Sequence, residues 1–274
     1  MSRAAAPPRP RFVGWLRLPV WVRSAILLAL VVGAWQAYVS WSEFGGNPQL
    51  FASPVETAKT LWNGWLDGSL ARPTWETLRV LFIGVGIGAL IAAALTLVAT
   101  LTQVGEELIQ RLASIMTPLP GVAVLPLALV WFGLTPTAVV FATAAAAISP
   151  IAINLTIGLK EASPTILAVG RNIGLSKVRL VTDVRAPAAL PNAIAGLRAA
   201  WSTGWHTVVA AEVVFGIIGG ESGLGAYIND AVLDGFTPRM FAALLTIAML
   251  GVLFETLFSM LERRTILRWG MHKT

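Results

Sequence analysis

The sequence predicts an all-α membrane protein with six transmembrane helices, and three observations lead there. Of 274 residues, 56% are hydrophobic and only 12% charged, whereas a soluble domain carries roughly 25% charge. Apolar runs approach the length of about 20 residues that crosses a hydrocarbon layer of ~30 Å. The runs also lack the two-residue alternation of barrel strands, and in lipid only helices and closed barrels satisfy every backbone donor and acceptor. Helices remain. The absence of cysteine removes disulfides and thiolate metal sites. The net charge of +6 reads as membrane topology rather than nucleic-acid affinity.

Residues 1–23 form a basic N-terminal segment with Arg3, Arg9, Arg11, Arg17 and Arg23 and no acid. An apolar stretch at Ala25–Ala37 follows without a small-residue cleavage pattern, so it reads as a retained first helix with a cytoplasmic N-terminus. Ser53-Pro54-Val55-Glu56 is a capping box with proline at the first helical position. The short helix after it carries Leu61, Trp62, Trp65 and Leu66 on its apolar side, a composition suited to the headgroup region.

The second span is expected over 80–101, with Gly84 and Gly88 spaced for close approach of another helix. A third apolar stretch, 112–132, contains Pro118, Pro120 and Pro126 and should be broken or kinked. The fourth span covers 137–157. A basic island, 159–198, comes next, with Lys160, Arg171, Lys177, Arg179, Arg185 and Arg198 opposed only by Glu161 and Asp183.

Pro187 and Pro191 should interrupt the helix before a fifth span at 197–217. Gly216, Gly219, Gly220, Gly223 and Gly225 predict a flexible, tightly turned loop, and the sixth span is 240–261. Residues 24–262 thus form one six-helix domain, and 263–274 a basic cytoplasmic tail. In this topology only Lys59, Arg72, Arg79 and Arg239 fall on the outer side or at that interface, where Glu43, Glu56, Asp67, Glu76, Glu221, Asp230 and Asp234 also lie. The asymmetry follows the positive-inside rule.

Within the island, Ser163-Pro164 starts a short helix, Gly174 stops it, and Ser176 caps a second helix ending before Pro187. Ile166, Val169 and Ile173 share one stripe, with Arg171 and Asn172 off it. Such a helix can enter a groove of a partner protein or lie on anionic lipid. A plain connector would need neither the stripe nor the glycine stop.

The island resembles the coupling loop of permease subunits of ATP-binding-cassette importers. The family pattern is Glu-Ala-Ala, three residues, Gly, nine residues, Ile-x-Leu-Pro. Here Ala168-Val169-Gly170, Gly174, Val184 and Ala186-Pro187 keep every spacing. Ala168 stands where the family has glutamate and Ala186 where it has leucine. Ala188-Ala189-Leu190-Pro191 through Arg198, Pro118-Leu119-Pro120 through Gly133, Gly204–Glu212 and Gly223-Leu224-Gly225 are similar to the branch handling nitrate, sulfonates and taurine.

The resemblance implies the type I importer permease fold in a bacterial inner membrane, with both termini cytoplasmic. It implies a homodimer, two ATPase subunits carrying ATP and Mg, and a periplasmic or lipid-anchored solute-binding protein. The chain itself would be no enzyme and would hold no cofactor, metal or nucleic acid. Coupling would involve Ile166, Ala168, Val169, Gly170, Arg171, Ile173, Gly174, Ser176, Lys177, Val184 and Pro187.

Polar residues at membrane depth are functional candidates by default. On the fifth span Ser202, Thr203, His206 and Thr207 occupy one arc, and Trp201, Trp205 and Glu212 a second stripe. Trp201, Ser202, Trp205, His206 and Glu212 are the expected pathway or gate residues for a small anionic solute. Helix–helix hydrogen bonding is the competing use of such polar groups, and a structural or gating role suits Glu212, whose charge would repel an anion. Glu255, on the sixth span, lies two turns from Arg263 and Arg264 and is expected to face the cytoplasmic interface.

Two other readings compete. Gly220-Glu221-Ser222-Gly223 matches the short nucleophile signature of rhomboid proteases, but their base histidine follows the serine, whereas His206 precedes Ser222. A stand-alone secondary transporter or channel predicts coupling acids or an internal repeat, neither of which is evident. No lysine follows a glycine, so the phosphate-binding P-loop pattern is absent and ATP hydrolysis would belong to another chain.

Overall fold

The computed structural model describes residues 19–41, 51–215 and 223–268. All regular structure among them is helical: α1 (Val20–Trp41), α2 (Pro54–Leu66), α3 (Ala71–Ala99), α4 (Gln103–Met116), α5 (Gly121–Phe132), α6 (Pro136–Lys160) and α7 (Pro164–Asn172). Then come α8 (residues 177–188), α9 (Leu190–Phe215), α10 (Leu224–Leu233) and α11 (Thr237–Arg268). The N-terminal segment before residue 19, the loop over 216–222 and the end of the tail lie outside the described residues.

The sequence places small residues where α6 meets its neighbours, and α6 is the central rod. It packs against α3 on one side and α9 on the other, with α4 and α5 closing a third side. Ala138, Ala142 and Ala147 are fully buried, which lets backbones come close in the absence of large side chains. The Gly84/Gly88 pair meets this helix as expected. A Cβ on Gly88 would lie 2.6 Å from the Ala144 carbonyl oxygen and 2.8 Å from the Ala147 Cβ. A second layer joins α10, α11 and α2 around Leu70, Leu224, Tyr227, Ile228, Ala242 and Ala243.

Among the described residues, four helices are long and apolar enough to cross a membrane: α1, α3, α6 and α11. A fifth span arises only if α4 and α5 are counted together, and these are bent by 94°. The third apolar stretch is therefore not one kinked helix but two helices meeting at Thr117–Pro120. Prolines at 118 and 120 remove two donors in succession, and the chain turns there instead of continuing. α9 has the length, 26 residues, or about 39 Å at 1.5 Å per residue, but its polar residues set it apart from the other four. The count of six spans is not reproduced by length and composition alone.

The capping box forms as read: the Glu56 amide donates to Ser53 Oγ at 3.1 Å and the Ser53 amide to Glu56 Oε2 at 3.3 Å. Trp62, Trp65 and Leu66 are exposed on α2, while Leu61 packs against the second-layer core.

Two expectations fail. The helix after Ser176 does not end before Pro187 but runs α-helical over Lys177–Arg179, π-helical over Leu180–Arg185 and α-helical over Ala186–Ala188. The wide turn ahead of Pro187 loosens the carbonyls that a proline ring would otherwise strike, so Pro187 and Pro191 each sit in a first turn. The glycine-rich loop also gives way, after Gly223, to α10, a ten-residue helix with Leu224, Tyr227, Ile228 and Ala231 buried. Glycines there permit contact rather than looseness.

Candidate functional site

The two stripes read on α9 face different surroundings. Trp201 and Trp205 are buried together with Val208 and Ala211, spacings of three and four that make one helical face. Trp201 packs into an aromatic cluster, with ring centroids 4.9 Å from Phe82, 4.2 Å from Phe254 and 5.8 Å from Phe258. This face joins α3 to α11.

The opposite face opens on a cavity of about 630 Å³. Thr203, His206 and Thr207 line it from α9, and Ala146, Ser149, Pro150 and Asn154 from α6. The break between α4 and α5 supplies Thr117–Gly121 as its rim. Ser202 is exposed but does not line the cavity.

Local hydrogen bonds fix these polar groups. The Thr207 hydroxyl donates to the Thr203 carbonyl at 2.8 Å, and His206 Nδ1 to the Ser202 carbonyl at 2.6 Å. With Nδ1–H so engaged, donation to an anion requires a second proton, on Nε2. Ser149 Oγ donates to the Ala113 carbonyl at 2.6 Å and lies 2.8 Å from Thr117 Oγ1, tying the end of α4 to α6. Gly121 allows the start of α5 to press on α9, since a Cβ there would lie 2.2 Å from Thr207 Oγ1.

Glu212 does not face this cavity. It is buried at the end of α9 remote from the 159–198 loop, and its carboxylate accepts from Thr77 Oγ1 at 2.8 Å and from the Gly225 amide at 3.0 Å. Thr77 Oγ1 in turn accepts from the Leu224 amide at 2.8 Å. Leu224 and Gly225 are the first two residues of α10, so a threonine of α3 and a glutamate of α9 together satisfy donors that a helix start leaves open. A negative side chain is also favoured at that end of the helix dipole. A Cβ on Gly223 would lie 2.1 Å from Glu212 Oε1, which explains the glycine. Glu212 is a fastening of three helices.

On the island, α7 ends in the geometry read from Gly174, whose φ is +81°. The Gly174 amide donates to the Arg171 carbonyl and the Leu175 amide to the Gly170 carbonyl, each at 3.0 Å, a glycine C-cap. Ser176 caps the next helix through the Arg179 amide at 3.3 Å. Gly170 is buried, and a Cβ on it would lie 2.7 Å from Leu180 Cδ2, so α7 is pressed on α8 at that residue.

Ile166, Val169 and Ile173 project outward, 56%, 53% and 70% exposed, and Val178 extends the patch at 56%. Ala168, Arg171 and Lys177 are exposed beside them. Val184 and Pro187 are half-buried on α8, where Ala186 between them packs on the small core formed by Leu155, Leu159 and Ala189.

Sequence reasoning missed two arrangements. Glu255 pairs with Arg198 of the neighbouring helix, not with the arginines of its own. Arg198 Nε lies 3.2 Å from Glu255 Oε2, its second guanidinium contact is with Glu255 Oε1, and Nη1 lies 2.8 Å from Glu262 Oε2. The i, i+7 spacing of two acids on α11 was the available signal. Thr77 was unremarkable in sequence, since a threonine gives no sign that its partner is 135 residues away. Ser222 of the protease motif lies outside the described residues.

Over residues 84–267 the chain matches the model of a family described as the binding-protein-dependent transport system inner membrane component. It is 30% identical over 246 residues to a putative aliphatic sulfonates transport permease of Escherichia coli, covering 88% of this chain and 89% of that protein. Against a nitrate import permease of Synechocystis the identity is 25% over 275 residues, 96% and 97% of the two chains. Against the taurine transport permease of Escherichia coli it is 30% over 205 residues, 75% and 70% of the two.

Proposed function

Since the chain belongs to the family of inner-membrane components of binding-protein-dependent transport systems, we propose that α7 is the element through which a separate ATPase subunit drives it. The outward stripe of Ile166, Val169 and Ile173 carries this reading. Apolar side chains at a spacing of three and four on a nine-residue helix and its C-cap suit a groove in a partner protein. The Gly174 turn and the Gly170 contact hold that helix rigidly against α8, so a push on it is transmitted to α9 and the membrane helices. ATP and Mg stay on the partner, and the chain itself performs no hydrolysis.

The loop then lies in the cytoplasm with both termini, and a second copy of the chain completes the pathway. A solute-binding protein delivers cargo from outside. The cavity faced by Thr203, His206 and Thr207 is where solute passes, and the cargo is a small anion of the sulfonate, taurine, nitrate or bicarbonate kind. Relatives named for sulfonates, nitrate and taurine support that class.

The test is reconstitution with the ATPase and binding-protein subunits. Gly174→Val places a β-branched residue at a positive φ, disrupts the C-cap and should abolish solute-stimulated ATP hydrolysis while the permease still inserts and purifies. Unchanged stimulation, or uptake by the purified chain alone, would overturn the coupling assignment.

A further inference from the structure

At the end of α3, a second concavity of about 230 Å³ lies between the turn at residues 100–102 and the 159–198 loop. Arg171, Lys177 and Arg185 line it. None of the three forms an ion pair among the described residues. Glu106, the acid in the same pocket, is engaged by Lys160 Nζ at 3.3 Å. Asp183, on the same helix as Arg185, accepts the Thr182 hydroxyl at 2.6 Å. Three cations thus line a hollow whose one carboxylate, Glu106, is already paired with Lys160, an arrangement that favours a bound anion.

The remaining lining is mixed. Leu101, Leu167, Leu180 and Val181 give it an apolar wall. Thr102 and Gln103 bring in the N-terminus of α4, a 14-residue helix whose dipole has its positive end there.

We propose that this pocket binds a phosphate-bearing anion and that its occupant is an anionic phospholipid headgroup. The position favours lipid over a free phosphate. The pocket lies at the end of α3, one of the helices able to cross the bilayer, where a headgroup meets a basic site while the glycerol region meets the leucine wall. A lipid held there bridges the α3–α4 turn to the loop bearing α7 and stiffens the link between them. The proposal rests on the preceding reading in one respect, that this loop lies on the cytoplasmic side.

The experiment is native mass spectrometry of the full chain in detergent, titrated with phosphatidylglycerol and separately with phosphatidylcholine. The expected result is one phosphatidylglycerol bound in preference to phosphatidylcholine. That affinity should fall about fivefold in Arg185→Gln and further in Arg171→Gln/Arg185→Gln, as estimated for each cation near a lipid surface. Arg111→Gln, on α4 but outside the pocket, should leave it unchanged.

A parallel titration with inorganic phosphate distinguishes the sources. Saturable binding that is lost in the same variants, without lipid preference, identifies a soluble phosphate as the occupant. No preference and no phosphate binding, or equal loss in Arg111→Gln, overturns the proposal. Labelling of Val178→Cys from each side of the membrane reports loop topology separately. An external label overturns the coupling reading, and an internal label with no anion binding overturns the pocket alone.

Discussion

Replacing Thr77 by valine removes one hydroxyl with almost no change of shape, and the structure states what that hydroxyl does. It accepts the Leu224 amide at 2.8 Å and donates to the Glu212 carboxylate at 2.8 Å, with both partners buried. An orphaned buried donor costs about 1–3 kcal/mol, and the hydrogen bond to the Glu212 carboxyl group contributes about 1. The two share one atom and are not additive, so about 2–4 kcal/mol is expected. For a domain of this size each kcal/mol moves the melting temperature by roughly 2–4 °C, which places the Thr77→Val loss at roughly 4–16 °C in a detergent melting assay.

Thr74→Val is the matched control, because its hydroxyl donates within its own helix to the Leu70 carbonyl at 2.7 Å. Its loss should stay near 1 kcal/mol. Thr77→Ser keeps the hydroxyl and should fall between the two. Equal melting of Thr77→Val and Thr74→Val would refute the claim that a remote threonine and Glu212 hold the start of α10.

Gly88→Leu should prevent accumulation of folded protein, seen as loss of the monodisperse peak in size-exclusion chromatography, because its Cβ would lie 2.6 Å from a backbone oxygen that cannot swing aside. Gly121→Ala should destabilise by about 1–3 kcal/mol through overpacking. Thr207→Ala should recover part of that loss in the double variant, since Thr207 Oγ1 is met at 2.2 Å while the Ala146 Cβ at 2.7 Å stays in place; additive melting shifts would deny the contact. In a cysteine scan, Thr203→Cys should react with a small aqueous thiol reagent and Trp201→Cys should not, as the first lines the cavity and the second sits among Phe82, Phe254 and Phe258. Comparable labelling of both would remove the distinction between the two faces of α9.

What could be read in advance was what short-range chemistry specifies. The Ser53–Glu56 capping box, the Gly174 stop and the Ser176 cap each involve residues within a turn of one another, so residue type and spacing are enough. The Gly84/Gly88 pair was legible as an interface though not as one with α6, because a small-residue pair announces close approach without naming the partner. The failures share a cause. Pro187 reads locally as a helix stop, yet the chain passes it by widening one turn. Gly223 and Gly225 read locally as flexibility, but they are small because Glu212 occupies the space a side chain would fill. The bend of 94° between α4 and α5 was legible as disruption at the prolines, while its size depends on α6 and α9 receiving the start of α5.

The separation of roles on α9 follows from where each polar group finds its partner. Thr203 and Thr207 satisfy their hydroxyl donors on carbonyls three or four residues back along the same helix. Their oxygens retain acceptor capacity toward the cavity, and among the described residues neither hydroxyl bonds to another helix. Glu212 and Arg198 do the reverse: each is bound to a different helix, the former to α3 and α10, the latter to both acids on α11. Groups whose bonds close within one helix can face a changing, wet environment without loosening the fold. Groups whose bonds cross between helices hold those helices in one arrangement. Between the two fastenings, at opposite ends of α9, lies the cavity-facing row. A helix fastened at both ends in this way moves as one rod, and the polar lining moves with it.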